Sequence, residues 1–89
     1  MAQPSVLIIE DEEGVRTALA RRLEMNGCQV ASTTTSKEGM SRLEAGPVDL
    51  VLLDYRLPDA DGLEVLERIG RDWPDTLTVM MTAYTNGDL

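Results

Sequence analysis

Glu10 and Asp11 follow the apolar run Val6-Leu7-Ile8-Ile9, and Asp54 follows Leu50-Val51-Leu52-Leu53. Both runs are short and rich in branched aliphatics, the composition of strands buried on both faces. If the two strands are parallel neighbours, their carboxyl ends open at one sheet edge, where open α/β folds bind ligands. The acids would then share a pocket. Crowded carboxylates raise one another's affinity for protons unless a cation compensates, so the cluster is either a divalent-metal site or a proton-sharing site. Oxygen-only donors favour Mg²⁺, which binds through one or two carboxylates together with water and phosphate oxygens, and the chemistry implied is phosphoryl transfer. Any one of these acids could be a solvated strand-end cap. The pair together with Asp54 is poorly explained that way.

The elements that must position the acids can be followed along the chain. The first strand runs to about Ile9, and the helix after it places Val15, Ala18, Leu19 and Leu23 on one face. Asn26-Gly27 is a left-handed C-terminal cap signature. A weaker strand is expected over residues 29–33. Thr35 and Glu38 then resemble a capping box opening a second helix, with Met40 and Leu43 facing the core and Gly46-Pro47 ending it. The third strand, residues 49–53, is the most continuously apolar and so expected to be central. After Leu57-Pro58, Asp61 and Glu64 form a second capping-box candidate for a helix whose inner face is Leu63, Val65, Leu66 and Ile69, ending near Gly70. Trp73-Pro74 forces the exit, because a residue before proline avoids helical geometry. A fourth strand covers residues 77–81. This alternation of strands and helices implies a parallel sheet with right-handed crossovers and helices on both faces, an α/β architecture.

Composition narrows the function. At 89 residues there is room for one domain, with a thin core, and the 43% hydrophobic and 27% charged content suits a globular protein. The net charge is −8, and the absence of any Lys/Arg cluster argues against direct contact with nucleic acid. No stretch has the length of a membrane span and no basic-then-apolar leader opens the chain, so the expected address is cytoplasmic, with no membrane partner. The single cysteine, Cys28, excludes an intrachain disulfide and a multi-cysteine metal site. Histidine is absent, which removes the commonest general base and any phosphohistidine donor; the chain could accept a phosphoryl group but not relay one from histidine. Asp59 and Asp61 do not make an EF-hand, which would need an acid at Leu57 and a bidentate glutamate at Arg68.

Glu10-Asp11, Asp54 with Leu57-Pro58 and Asp61-Gly62, and Thr82-Ala83 at the fourth strand end resemble the receiver domain of two-component response regulators. The resemblance covers residues 1–89. It implies a flavodoxin-like, doubly wound parallel sheet of strand order 2-1-3-4 for the four strands present. It implies that Asp54 accepts a phosphoryl group from a partner sensor histidine kinase, to give an acyl phosphate. Glu10, Asp11 and Asp54, with the backbone carbonyl of Arg56, would hold Mg²⁺. Thr82 would contact the phosphoryl group and act as the switch; Arg56, Ala83 and Tyr84 would tune access to the site. Pro58 and Gly62 have mainly structural explanations, the first fixing the loop and the second permitting an unusual backbone angle near the helix start. Residues Met81-Thr82-Ala83-Tyr84 resemble regulators of sigma-54-dependent transcription, which implies an output domain or regulatory partner and a transcriptional response.

A complete receiver continues through a further helix, strand and helix, carrying a lysine that pairs with the phosphoryl group and an aromatic switch residue. The only lysine here, Lys37, lies at the start of the second helix. The sequence is therefore expected to be the N-terminal portion of such a domain, with its fourth strand an exposed apolar edge available for homodimerisation. An alternative is a receiver-like interaction module that works without phosphate: the retained acids and Thr82 oppose it and the missing lysine favours it. Magnesium enzymes of the topoisomerase-primase or haloacid-dehalogenase type rank last, because they expect Asp-x-Asp and Arg56 stands two beyond Asp54.

Overall fold

A computed structural model describes residues 3–81. In chain order the elements are β1 (Ser5–Ile9), α1 (Glu13–Met25), β2 (Gln29–Thr33), α2 (Ser36–Ala45), β3 (Leu50–Asp54), α3 (Gly62–Asp72) and β4 (Leu77–Met81). The four strands form one parallel sheet of order β2-β1-β3-β4. The strand positions expected from apolar runs hold, except that β3 is displaced by one residue, so that Asp54 is its last member and pairs with Met81.

The direction of travel across the sheet reverses once, after β2. With right-handed crossovers this puts α1 on one face and α2 and α3 on the other. The core lies on the side of α2 and α3: Leu7, Ile9, Val51 and Leu53 pack with Met40 and Leu43 of α2, Val65 and Ile69 of α3, and Val48. β1 and β3 are the inner strands, and Val6, Leu7, Ile8 and Ile9 are all buried. β2 and β4 form the edges of the described sheet, and Leu77 and Val79 of β4 are exposed.

α1 departs from expectation. Its apolar stripe is only partly covered: Leu19 and Leu23 are half-buried, while Val15 and Ala18 are exposed and no residue of the helix is fully buried. It is the one helix on its side of the sheet among the described residues, so it has no lateral partner there. Its end follows the sequence closely. Gly27 takes φ +86°, its N–H donates to Glu24 O at 3.1 Å, and that of Cys28 to Leu23 O at 3.0 Å. This double closure is a Schellman motif, and the left-handed residue it needs is the glycine.

The two capping boxes are half-formed. Thr35 Oγ1 accepts the Glu38 N–H at 3.1 Å, but the Glu38 carboxylate receives Thr34 N–H and Thr34 Oγ1–H at 3.0 and 2.8 Å instead of the Thr35 N–H. Those donors hold the Glu38 carboxyl below its ordinary pKa, the Thr34 N–H contributing most. Asp61 Oδ1 accepts from Leu63 N at 2.9 Å, one residue earlier than the box pattern, and Glu64 completes no reciprocal bond. α3 runs past Gly70 to Asp72. Val65 and Ile69 are its buried face, and Leu63, expected inside, is 48% exposed because it lies off that stripe.

Two loop contacts were not anticipated. Asp59, in the β3–α3 connection, accepts Ser36 N–H at 2.9 Å, Ser36 Oγ–H at 2.8 Å and Lys37 N–H at 3.1 Å. It thereby caps α2 from a distant segment and satisfies amide groups a helix start leaves free. These donors hold the Asp59 carboxyl below the ordinary value, the Ser36 N–H contributing most. Gly62 has no positive φ; the glycine is required by space instead, because a Cβ there would stand 2.6 Å from Tyr55 O and 2.7 Å from Asp54 O. Replacing Gly62 by alanine should cost about 2–3 kcal/mol, since backbone must move. Asp59→Ala should cost about 1 kcal/mol, the usual loss for a helix cap. Urea unfolding followed by circular dichroism measures both, and equal stability of Gly62→Ala with the parent would contradict this packing.

Candidate acidic site

Burial and register bring the acids together. Ile9 pairs with Leu53, and the ladder continues one step beyond β1 through Glu10 N–H to Thr33 O at 3.0 Å. Glu10 and Asp54 therefore leave adjacent parallel strands at the same level, and Asp11 follows where the chain turns toward α1. Carboxylate oxygens of Glu10, Asp11 and Asp54 lie within 4.8 Å of one another, the first and last buried and Asp11 exposed.

Among the described residues no ion pair reaches the clustered carboxylates. Glu10 is only 6% exposed, and its Oε2 is fully enclosed without a hydrogen-bond partner. Its carboxyl is pushed up to about 8, first by burial, then by the hydrogen bond and charge of Asp54 and the charge of Asp11. Asp54 Oδ1 accepts the Arg56 N–H at 3.3 Å, which bends the chain back over the acceptor as it leaves the strand. The bend is braced by the antiparallel bridge between Arg56 and Asp61, by Leu57 N–H to Ala60 O at 3.3 Å and by Gly62 N–H to Tyr55 O at 2.9 Å. An oxygen-only set with one buried, unpartnered carboxylate oxygen suits a hard divalent cation retaining several waters, so these residues fit Mg²⁺.

Of the residues singled out from the sequence, Glu10, Asp11 and Asp54 meet, and Arg56 stands beside Asp54, contributing its N–H to it. Thr82, Ala83 and Tyr84 lie outside the described residues. The sequence reading passed over Arg16, whose guanidinium Nη1 donates to the carbonyl oxygens of Glu10 at 3.0 Å and Asp11 at 3.3 Å. A signal for it existed: helical side chains lean toward the helix start, so a long cation in the second turn can cover the loop before it.

Comparison with known proteins agrees with this geometry. Residues 6–89 match the model of the response regulator receiver domain, and the chain belongs to that family. It is 38% identical over 86 residues to the transcriptional regulatory protein AfsQ1 of Streptomyces coelicolor, covering 97% of this chain and 37% of that one. It is 35% identical over 88 residues to the response regulator protein PilR of Pseudomonas aeruginosa, covering 99% of this chain and 20% of PilR. The chain thus spans well under half of these curated relatives. Among solved structures it resembles the response regulator TrrA of Thermotoga maritima in complex with Mg²⁺ and BeF, with TM-score 0.87 and 29% identity over 98% of this chain and 77% of that one. Receiver domains are regulatory modules and not metabolic enzymes, and the relatives of this one include transcriptional regulators.

The raised Glu10 carboxyl carries a pH signature. Between its ordinary value of 4.5 and about 8 the folded chain holds a proton that the unfolded chain releases, so stability without metal should fall as pH rises through that window and level off above it. Thermal unfolding in EDTA from pH 5 to 9 should show this fall, and Glu10→Gln should flatten it. An unchanged slope in that variant would remove Glu10 as the source.

Proposed function

We propose that Asp54 is the phosphoacceptor of a two-component signalling switch, phosphorylated by a partner sensor histidine kinase. The observation that carries this reading is the convergence of Glu10, Asp11 and Asp54 at the carboxyl edge of two buried parallel strands. A carboxylate oxygen of Asp54 attacks the phosphorus of a phosphohistidine. The new O–P bond gives an acyl phosphate as the P–N bond breaks, and the electron pair leaves with the kinase imidazole. Glu10, Asp11 and Asp54, with the Arg56 carbonyl, would hold Mg²⁺. When bound, the cation offsets the negative charge of the carboxylates and of the incoming phosphoryl oxygens. Asp11, exposed beside two buried acids, would be a direct ligand, with Glu10 acting partly through water.

Arg56, exposed and joined to Asp54 through its N–H, would govern water access together with Ala83 and Tyr84. Thr82 would donate its hydroxyl to a phosphoryl oxygen and move inward as the switch, a role that rests on the resemblance at Thr82-Ala83. In this reading the chain is a cytoplasmic receiver, controlling an output domain or partner, transcriptional as in AfsQ1. Any activity of its own is limited to self-catalysed phosphotransfer and autodephosphorylation. The phosphoryl group shifts an existing equilibrium between two surfaces, as ligand-driven switches do.

Intact mass after incubation with acetyl phosphate and Mg²⁺ tests the assignment. A single phosphoryl adduct is expected, lost in Asp54→Ala and in EDTA. A folded chain that takes up no phosphoryl group would favour a receiver-like interaction module that works without phosphate.

A further inference from the structure

Arg16 lies in the second turn of α1, half-buried, and it is the one described cation whose side chain hydrogen-bonds to the loop bearing Glu10 and Asp11. Its own N–H closes the first helical turn on Glu12 O at 3.0 Å, while its side chain turns back and one nitrogen, Nη1, spans the two preceding carbonyls. Those carbonyls belong to the two residues that supply acids to the cluster. Both peptide units are therefore tied to the helix start by the same guanidinium group.

The form of this contact matters. Arg16 makes no ion pair within 4.0 Å among the described residues, where the side-chain ion pairs are Arg68–Asp72 and Arg71–Asp72. Its charge is committed to carbonyl oxygens and leaves the carboxylate oxygens free. An arginine paired with Asp11 itself would occupy the electrons a cation needs. Held on the backbone, the guanidinium instead limits how far Asp11, the exposed member of the cluster, can swing away from its two buried companions. Groups that orient a metal ligand without touching the metal commonly set its affinity.

We propose that Arg16 is a positioning residue that fixes the β1–α1 loop, so that the acids of Glu10 and Asp11 are preset for a divalent cation. This rests on the metal-site reading above. The test is calorimetric titration of MgCl₂ into the 89-residue chain and into Arg16→Met, Arg16→Lys and Arg22→Met. The last removes the same charge from the far end of α1. Arg16→Met should bind Mg²⁺ about tenfold or more weakly. Arg16→Lys, which keeps the charge without the planar fork, should fall between it and the parent. Arg22→Met should bind as the parent does, and melting in EDTA should differ little among the folded variants. Equal Mg²⁺ affinity in Arg16→Met and the parent would overturn the positioning role, as would an equal loss in Arg22→Met. If Arg16→Met does not fold, Arg16→Lys decides by the same comparison: weaker binding than the parent supports the role and equal binding overturns it. A folded parent chain that binds no Mg²⁺ would overturn the metal-site reading itself, and this proposal with it, and is recognised because the parent fails too.

Discussion

Everything in this structure depends on a repulsion that the fold must contain: two buried carboxylates and a third at the surface, forced to one edge of a parallel sheet. Like charges at such separations drive one another to take up protons or a cation. What prevents the loops from splaying apart is the pairing of β1 with β3, residue against residue from Val6–Leu50 to Ile9–Leu53. These strands are buried nearly along their length, so moving Glu10 away from Asp54 would mean breaking a ladder whose side chains form the core. Apolar burial, worth roughly 1.5–3 kcal/mol for each fully buried large side chain, is the force set against the charge.

The loops at that edge are organised by the same economy of polar groups. A helix start leaves amide donors free and a strand end leaves carbonyls free. Here the two needs are met across the sheet edge. Asp59 takes the amides of Ser36 and Lys37, fastening the loop after Asp54 to α2. Arg16 takes the carbonyls of Glu10 and Asp11, fastening the loop after β1 to α1. In each case a charged side chain meets backbone and not an opposite charge. The three clustered carboxylates are thus left without a salt bridge among the described residues, while the segments that bear them are secured.

This division explains which features were legible in the sequence. Val6 to Ile9 and Leu50 to Leu53 announced buried strands because no ordinary helix is that short and that apolar, and acids placed immediately after them announced a site. Asn26-Gly27 announced its cap because only a local left-handed residue is involved. The contacts that escaped are long-range or depend on orientation. Asp59 and Ser36 are 23 residues apart, and nothing local links them. Leu63 fits an apolar pattern but lies to one side of the stripe formed by Val65 and Ile69. Gly62 was legible as a glycine that matters, yet for another reason: two carbonyl oxygens occupy the place of its Cβ, a fact of tertiary packing. Similarly, the stripe on α1 was read correctly as apolar, but how much of it is covered depends on neighbours that periodicity does not specify.

The two buried acids are not equivalent, and their difference bears on the reading of Asp54 as nucleophile. The same sheet supports many chemistries, so fold alone cannot assign roles. The hydrogen bonds do distinguish the two acids. Glu10 Oε2 is enclosed with no donor, and its carboxyl accordingly favours the protonated form, with a pKa near 8. Asp54 Oδ1 has a donor, the Arg56 N–H, delivered by the bend that Gly62 permits. An N–H aimed at a carboxylate stabilises its charge. Glu10 is thus left without a donor on its enclosed oxygen and holds its proton more tightly, whereas Asp54 has a backbone donor on one of its oxygens.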